Sequence, residues 1–581
     1  MVKAPDNKRM VKTLSKKSGT AYGDAGFSEF IKMAFRRHLG HDESDYKKPV
    51  IGIANTFSEV NRCHSHVKPM IEVLKQGVIM AGGTPLEFPI ISLGEMFISP
   101  TTMLYRNLVA MDAEEMIKAQ PIDGVVLIGG CDKMTPALLM GAASANKPSI
   151  LFTGGPMNNG EYKGRTLGAC SDCRFFWQEF KAGTITEEEV NEINEELAPT
   201  AGHCMVMGSA STIASCSEAL GMMMPGGATI PATENKRMHL ARETGKQIVR
   251  LVEQDIKPSD IMTKENFENA IKVLMAIGGS TNAVIHLIAI AKRLDIHLDL
   301  QLFDEISKET PLIANMRPAG NYQMEDLYRA GGIPVVLKEL QNQLHTNQIT
   351  VTGKTHEENL LHVEIDEVYR DIIKSVDDPV YADGGIAVLK GNLSPNGSII
   401  KPKAVINQKL LKHKGQAIVF ESIEDMEERV NDPNLQVSED NVLVLKNAGP
   451  IGAPGMPEAG MIPIPQKLLK QGVRDMLRLS DCRMSGTAFG AVVLHVAPEA
   501  AVGGPIGIIQ DGDWIELNVE ERELSLLISD DELRERLATF ERNEYKDRGY
   551  SWLYRNHVLQ ADEGCDFDFM LPTFNKREER D

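Results

Sequence analysis

Cysteine is scarce in this chain, with eight among 581 residues. That is too dilute for a disulfide framework, so any thiol is free for other work. A basic excess is missing too. With 62 Lys and Arg against 81 Asp and Glu the formal net charge is -19, which repels nucleic acid and anionic membrane surfaces and excludes both as partners. No run of about 18 uncharged apolar residues occurs. The basic stretch Met1 to Lys17 has no apolar core of signal-peptide length, so a cytoplasmic protein with reduced thiols is expected. There is no internal repeat or low-complexity segment. Nor is there a nucleotide loop: Asn447 to Gly455 is glycine-rich but lacks the Gly-Lys-Ser/Thr ending, and its prolines suit no dinucleotide-type helix start. A close-approach loop that carries Glu458 into a site fits it better. Cys170-Ser171-Asp172-Cys173 has CxxC spacing without a second CxxC or a His pair; it is read as structural and expected to lie outside any metal site.

What is present is α/β grammar at a length that calls for two or more domains. Short β-rich apolar runs, such as Val125 to Gly130 and Ser149 to Gly155, alternate with helical patterns at Met103 to Ala119, Ala137 to Ala145 and Ala283 to Leu294. Thr186 and Glu189 have capping-box spacing ahead of a helix to Leu197, and Ser280-Thr281-Asn282 form a capping cluster. Past Asp377-Asp378-Pro379 the texture turns to glycine-punctuated β runs, including Val442 to Leu445 and Ala491 to Val496. Residues 1–379 are therefore read as an N-terminal α/β domain and 380–581 as a β-rich C-terminal one. Met222-Met223-Met224 is read as flexible core filling.

Three of the cysteines stand in loops rich in glycine and polar residues. Cys131 follows the apolar run Val125 to Gly130 directly, where a buried parallel strand delivers its C-terminal end into a crevice. Cys63 follows the similar run Pro49 to Asn55 after a polar loop, and Cys204 precedes a stretch rich in Gly, Ser and Thr. Free cysteine is usually a small buried hydrophobe. Here the neighbours favour soft ligands for iron and sulfur, and Asp132 beside Cys131 suits a hard cation such as magnesium.

Six strings carry a resemblance. Asn61-Arg62-Cys63-His64-Ser65-His66, Gly129-Gly130-Cys131-Asp132-Lys133-Met134-Thr135-Pro136, Gly202-His203-Cys204, Gly278-Gly279-Ser280-Thr281-Asn282-Ala283, Gly455-Met456-Pro457-Glu458 and Met484-Ser485-Gly486-Thr487 resemble the motifs of the dihydroxy-acid and sugar-acid dehydratase family, in family order and over nearly the whole chain. The resemblance implies an N-terminal α/β/α layered domain, a C-terminal β-barrel-like domain and an active site between them. It implies that Cys63, Cys131 and Cys204 bind an iron-sulfur cluster, with 2Fe-2S favoured over 4Fe-4S. It makes Glu95, Asp132 and Glu458 magnesium carboxylates, with Lys133 joining them through a carbamate on its amine. Such a lysine must first be neutral, which burial or a neighbouring cation favours. Without the resemblance, Lys133 reads as an ion-pair partner of Asp132 or Glu95.

By the same match Ser485 is the base that removes the C2 proton, as an alkoxide, and Thr487 orients it or contacts substrate. The ordinary reading of Ser485-Gly486-Thr487 is a capping turn. His64, His66 and His203 are expected to support or pack around the cysteines. The stretches Ala382 to Leu393, Gly202-His203-Cys204 and Val558 to Phe569 resemble the pentonate and hexonate dehydratases, although Met205 stands where that branch typically has Asn and Ser209 where it has Thr. The expectation is a hydro-lyase acting on a small-molecule sugar acid such as arabinonate, xylonate or gluconate, assembled as a homodimer or homotetramer. Dihydroxy-acid dehydratase is the alternative. A non-catalytic iron-sulfur sensor would need the cysteines but neither a base nor magnesium carboxylates.

Overall fold

Apolar runs that end in glycine become buried parallel strands. In the computed structural model, which describes residues 25–38, 40, 45, 48–169, 171–541 and 544–572, four strands form the N-terminal sheet: β1 (Val50–Asn55), β2 (Thr84–Pro89), β3 (Gly124–Gly129) and β4 (Ser149–Thr153). Their order is β2-β1-β3-β4, all parallel, with Ile51 opposite Gly124 and Val125 opposite Ser149. Every residue of β3 and β4 is buried, as parallel strands covered by helices require. The helix Lys68–Met80 packs on Asn235–Gln254, and Met103–Ala119 packs on Met134–Ala145. A small hairpin, β5 (Gly160–Tyr162) and β6 (Arg165–Leu167), leads into the helices Ser171–Ala182 and Glu187–Glu196. The second of these carries the expected capping box, Thr186 with Glu189.

The C-terminal part is one eight-stranded sheet built from β7 (Ala387–Leu389), β8 (Gly397–Ile400), β9 (Lys412–Phe420), β10 (Val442–Leu445), β11 (Arg478–Ser480), β12 (Val492–Ala497), β13 (Trp514–Asn518) and β14 (Glu523–Leu526). Its order is β14-β13-β9-β10-β11-β12-β8-β7. A bridge between Lys390 and Glu523 brings the two ends together, so the sheet is a nearly closed barrel.

Side-chain alternation divides the apolar residues of these strands among separate cores. In β10, Val442 and Val444 face the barrel interior, while Leu443 and Leu445 join a cluster outside it. The same alternation joins the two domains. Val493 of β12 and Ile400 of β8 point into the barrel, whereas Val492, Leu494 and Ile399 join the core of the N-terminal domain. One barrel wall is thus also part of the N-terminal core. Met222 and Met223 are buried there too. Among the described residues no helix is long and apolar enough to cross a membrane.

Candidate active site between the two domains

The two domains enclose a cavity of about 650 Å³. Cys63, Cys131 and Cys204 line it, as do Glu95, Asp132 and Glu458, and so do Ser485 and Thr487. Lys133 is fully buried behind them.

Backbone ladders place the first thiols. The turn that begins at the end of β3 sets Cys131 so that its amide donates to His64 Nε2 at 2.8 Å, while His64 Nδ1 lies 3.1 Å from the Thr56 carbonyl. With Nε2 accepting, Nδ1 carries the proton. Burial lowers the His64 pKa to about 4, so the ring stays neutral. Hydrogen bonding to Cys63, followed by burial, pushes the Cys131 thiol up. Asn61 accepts from the Cys63 amide at 3.2 Å and donates to Ser92 Oγ and the Leu93 carbonyl, tying the cysteine loop to the segment that precedes Glu95. The carbonyl of Cys204 is held by Ser211 Oγ at 2.9 Å, and His203 is buried beside it. His66 contacts the Gly154 carbonyl.

Three carboxylates close on one ammonium. Lys133 Nζ lies 2.9 Å from Glu458 Oε1 and 3.4 Å from Glu95, and is hydrogen-bonded to Asp132. Burial pulls the lysine pKa down, but Asp132, Glu458 and Glu95 outweigh it and the pKa ends above the ordinary lysine value. The residues as they stand form the ion pair, extended to three partners, and burial does not by itself make the amine neutral. At Asp132 burial wins and raises the carboxyl. Glu458 resists its burial because Lys133 and Arg483 hold it at about 2. Among the described residues no three His, Cys, Asp or Glu groups are gathered as a ready-made metal cage. The donor set facing the cavity nevertheless suits two metals of different softness, with thiolates for one and carboxylates for the other.

The C-terminal contributions arrive on loops. Gly455, at φ +90°, passes so close to the helix Met103–Ala119 that a Cβ would lie 2.6 Å from the Leu104 nitrogen. This is the close-approach loop expected to carry Glu458. Arg483 then grips it, with Nη1 2.9 Å from Glu458 and Nε 2.8 Å from the Met456 carbonyl.

Ser485 Oγ lies 2.9 Å from Thr487 Oγ1. Among the described residues it accepts no backbone amide, so it is not acting as a cap. Gly486 follows because its Cβ would lie 2.6 Å from the Ser209 nitrogen. The turn therefore abuts the start of the helix Ser209–Ala219, whose N-terminal dipole favours negative charge on a neighbouring oxygen.

Of the two departures from the sugar-acid pattern, Ser209 lines the cavity while Met205 is buried against Met157 and Ala169. Sequence reasoning missed several groups here. Arg483 went unremarked, although a charge next to a buried motif is a signal. Asn282 was read only as a cap; its side chain instead spans Ser209 Oγ at 2.8 Å and Glu458 at 3.1 Å. Arg174 also lines the cavity. Cys173, expected to lie outside any metal site, is on the cavity lining, because the helix Ser171–Ala182 turns its first residues inward. Cys170 lies outside the described residues.

Residues 48–359 match a family described as dihydroxy-acid/6-phosphogluconate dehydratase, N-terminal, and residues 371–565 match its C-terminal counterpart. The chain is 48% identical to an L-arabinonate dehydratase of Rhizobium leguminosarum bv. trifolii, over 91% of each chain. It is 45% identical to a 6-deoxy-6-sulfo-D-gluconate dehydratase of Pseudomonas putida, over 90% of each. A dihydroxy-acid dehydratase of Halothermothrix orenii is 41% identical, over 93% of this chain and 99% of that one.

Proposed function

Because the chain belongs to the dihydroxy-acid/6-phosphogluconate dehydratase family, we propose that it dehydrates an aldonate to the 2-keto-3-deoxy acid. The observation that carries this reading is the meeting of three thiols, three carboxylates and Ser485 on one interdomain cavity. Cys63, Cys131 and Cys204 would hold a 2Fe-2S cluster, and Glu95, Asp132 and Glu458 would hold magnesium, joined by Lys133 as the carbamate its neutral amine forms with carbon dioxide, with loss of a proton. When bound, these groups would supply Lewis acidity to the C3 hydroxyl and to the carboxylate and C2 hydroxyl of the substrate. Neutralising the three carboxylates would release the proton they hold on Lys133.

The chain's own residues do the rest. Ser485 Oγ, as an alkoxide, takes the C2 proton and passes it to the hydroxide that leaves C3, so that water departs and the enol that remains becomes the keto acid. Thr487 holds the serine oxygen, and the helix start at Ser209 favours its negative charge. Arg483 and Asn282 hold Glu458 through Oε1, the same oxygen that meets Lys133. The sugar-acid relatives stand at 48% and 45% identity against 41% for the dihydroxy-acid one, which supports sugar acids over branched-chain precursors. Screening aldonates and dihydroxy acids for keto-acid release by the iron- and magnesium-loaded enzyme tests this. Turnover of dihydroxy acids alone would reject the aldonate reading. Iron and sulfide stoichiometry checks the cluster type, and light scattering checks the proposed dimer or tetramer.

A further inference from the structure

The cavity has an apolar mouth that the described residues leave uncovered. Met96, Phe97 and Trp177 line it, yet they are 71, 75 and 53% exposed. Met96 and Phe97 share one short turn with Glu95, so these exposed side chains stand beside a proposed magnesium carboxylate. Charge-stabilised chemistry gains from excluding bulk water, and apolar residues clustered on a surface mark a place where another surface docks.

A second apolar surface is open in the same molecule. The helix Ala25–His38 holds Phe30 and Phe35 at 65 and 70% exposure, so it is not seated on the mouth of its own chain. Its tether joins β1 at Val50, whereas the cavity lies past the opposite ends of the parallel strands, where β3 delivers Cys131. Six residues of strand put about 20 Å between those ends.

Charge favours the same match. Residues 1–38 hold nine Lys and Arg against three Asp and Glu, in a chain whose net charge is -19. Beside the mouth, the helix Glu187–Glu196 lines the cavity with Val190 and Ile193 and carries six Glu with no Lys or Arg. Among the described residues Lys163 alone answers that charge, 3.8 Å from Glu189 and 3.9 Å from Glu192. A basic segment and an acidic face attract and orient each other.

We propose that the helix Ala25–His38 of a second copy of this chain docks on the mouth through Phe30 and Phe35 and completes the wall that keeps water from the site. The exchange is reciprocal, as a two-fold interface requires, with each chain covering the other's cavity. It does not depend on which acid is dehydrated.

The test uses the full chain loaded with iron and magnesium. Phe30→p-benzoylphenylalanine, irradiated, should join two chains, with the adducts on peptides that hold Met96, Phe97 or Trp177. Adducts within one chain, adducts elsewhere or no adduct overturn the proposal, and this readout involves no activity. Phe30→Asp with Phe35→Asp should lower keto-acid release roughly ten-fold at unchanged iron content; full activity would also overturn it. Co-expressed with a Ser485→Ala chain, whose helix is intact, the double variant should recover about a quarter of the wild-type rate, because half of randomly paired dimers are mixed and each of these has one intact, covered site. Absence of rescue would mean that the helix acts on its own chain and would overturn the exchange. A wild type that cross-links as expected but releases no keto acid would reject the proposed function and leave this interface standing.

Discussion

Cys131 follows Gly129, the last residue of β3, almost directly, whereas Glu458 comes at the far end of a long loop after Leu445, the last residue of β10. The two halves of the site are braced accordingly. On the N-terminal side one neutral imidazole, His64, spans the Cys131 amide and the Thr56 carbonyl. On the C-terminal side the loop from Asn447 is held by buried charges. Asp481 accepts from the Ala448 and Ala500 amides, and Glu499 accepts from the Ile451 and Gly452 amides and from Gln560. Arg483 holds the loop's far end. A residue at a strand end inherits its position from the ladder, while a residue on a long loop needs anchors of its own.

The braces also respond to pH in opposite directions. Burial lowers His64 to about 4 and His203 to about 3, so the unfolded chain binds more protons as pH falls below the ordinary histidine value of 6.5. Acidification there penalises the fold. Burial instead raises Glu499 to about 7 and Asp481 to about 6. Their ionisation penalises the fold near pH 8, and the penalty is relieved as pH falls through 7 and 6.

The largest expected effect tests whether the loop side contributes chemistry rather than only architecture. Ser485→Ala should lower turnover by about 10²- to 10⁴-fold or more while iron content and melting temperature stay near those of the wild type. Loss of C2-hydrogen exchange with solvent would accompany it; surviving exchange would assign the base to another group. Next comes the anchor itself. Arg483→Met leaves Glu458 buried with one cation fewer and should cost about 3–5 kcal/mol in denaturant unfolding, far more than loss of an exposed ion pair. A smaller loss would mean that Asn282 and Lys133 hold Glu458 without it.

The pH contrast gives a smaller effect. Glu499→Gln should flatten the rise in stability on going from pH 8 to pH 6 by about 1 kcal/mol, read from melts at several pH values. His64→Asn should change only the acid side, below pH 6.5. Identical slopes in both variants would erase the distinction between the two sets of braces. The smallest effect concerns Cys173. Its replacement by Ser should leave iron content unchanged, and a loss of iron would make it a fourth ligand.

The strand runs that end at Gly129 and Thr153 were legible because a parallel strand buried on both faces must be apolar throughout, and Thr186 with Glu189 because a capping box is a local contact. Asn282 was half legible. Its neighbour Ser280 does accept the Asn282 amide, at 3.2 Å, but the Asn282 side chain leaves the helix start for Ser209 and Glu458. The place of Cys173 on the cavity lining was not legible, because CxxC spacing says nothing about which face of a helix meets a cavity.

By itself the sequence determined the order of α/β and β-rich parts, the strand end that presents Cys131, the polar loop after β1 that carries Cys63, and the glycine-rich loop ahead of Glu458. These depend on periodicity, glycine and neighbours close along the chain. Only the tertiary structure decided that Glu458 meets Lys133 across the two domains, that Arg483 and Asn282 grip it, and that Arg174 lines the cavity with its Nε unpartnered among the described residues. Each of those contacts joins residues distant in sequence or depends on how two elements pack, and no local pattern encodes a distance between elements that meet only when the barrel wall completes the N-terminal core.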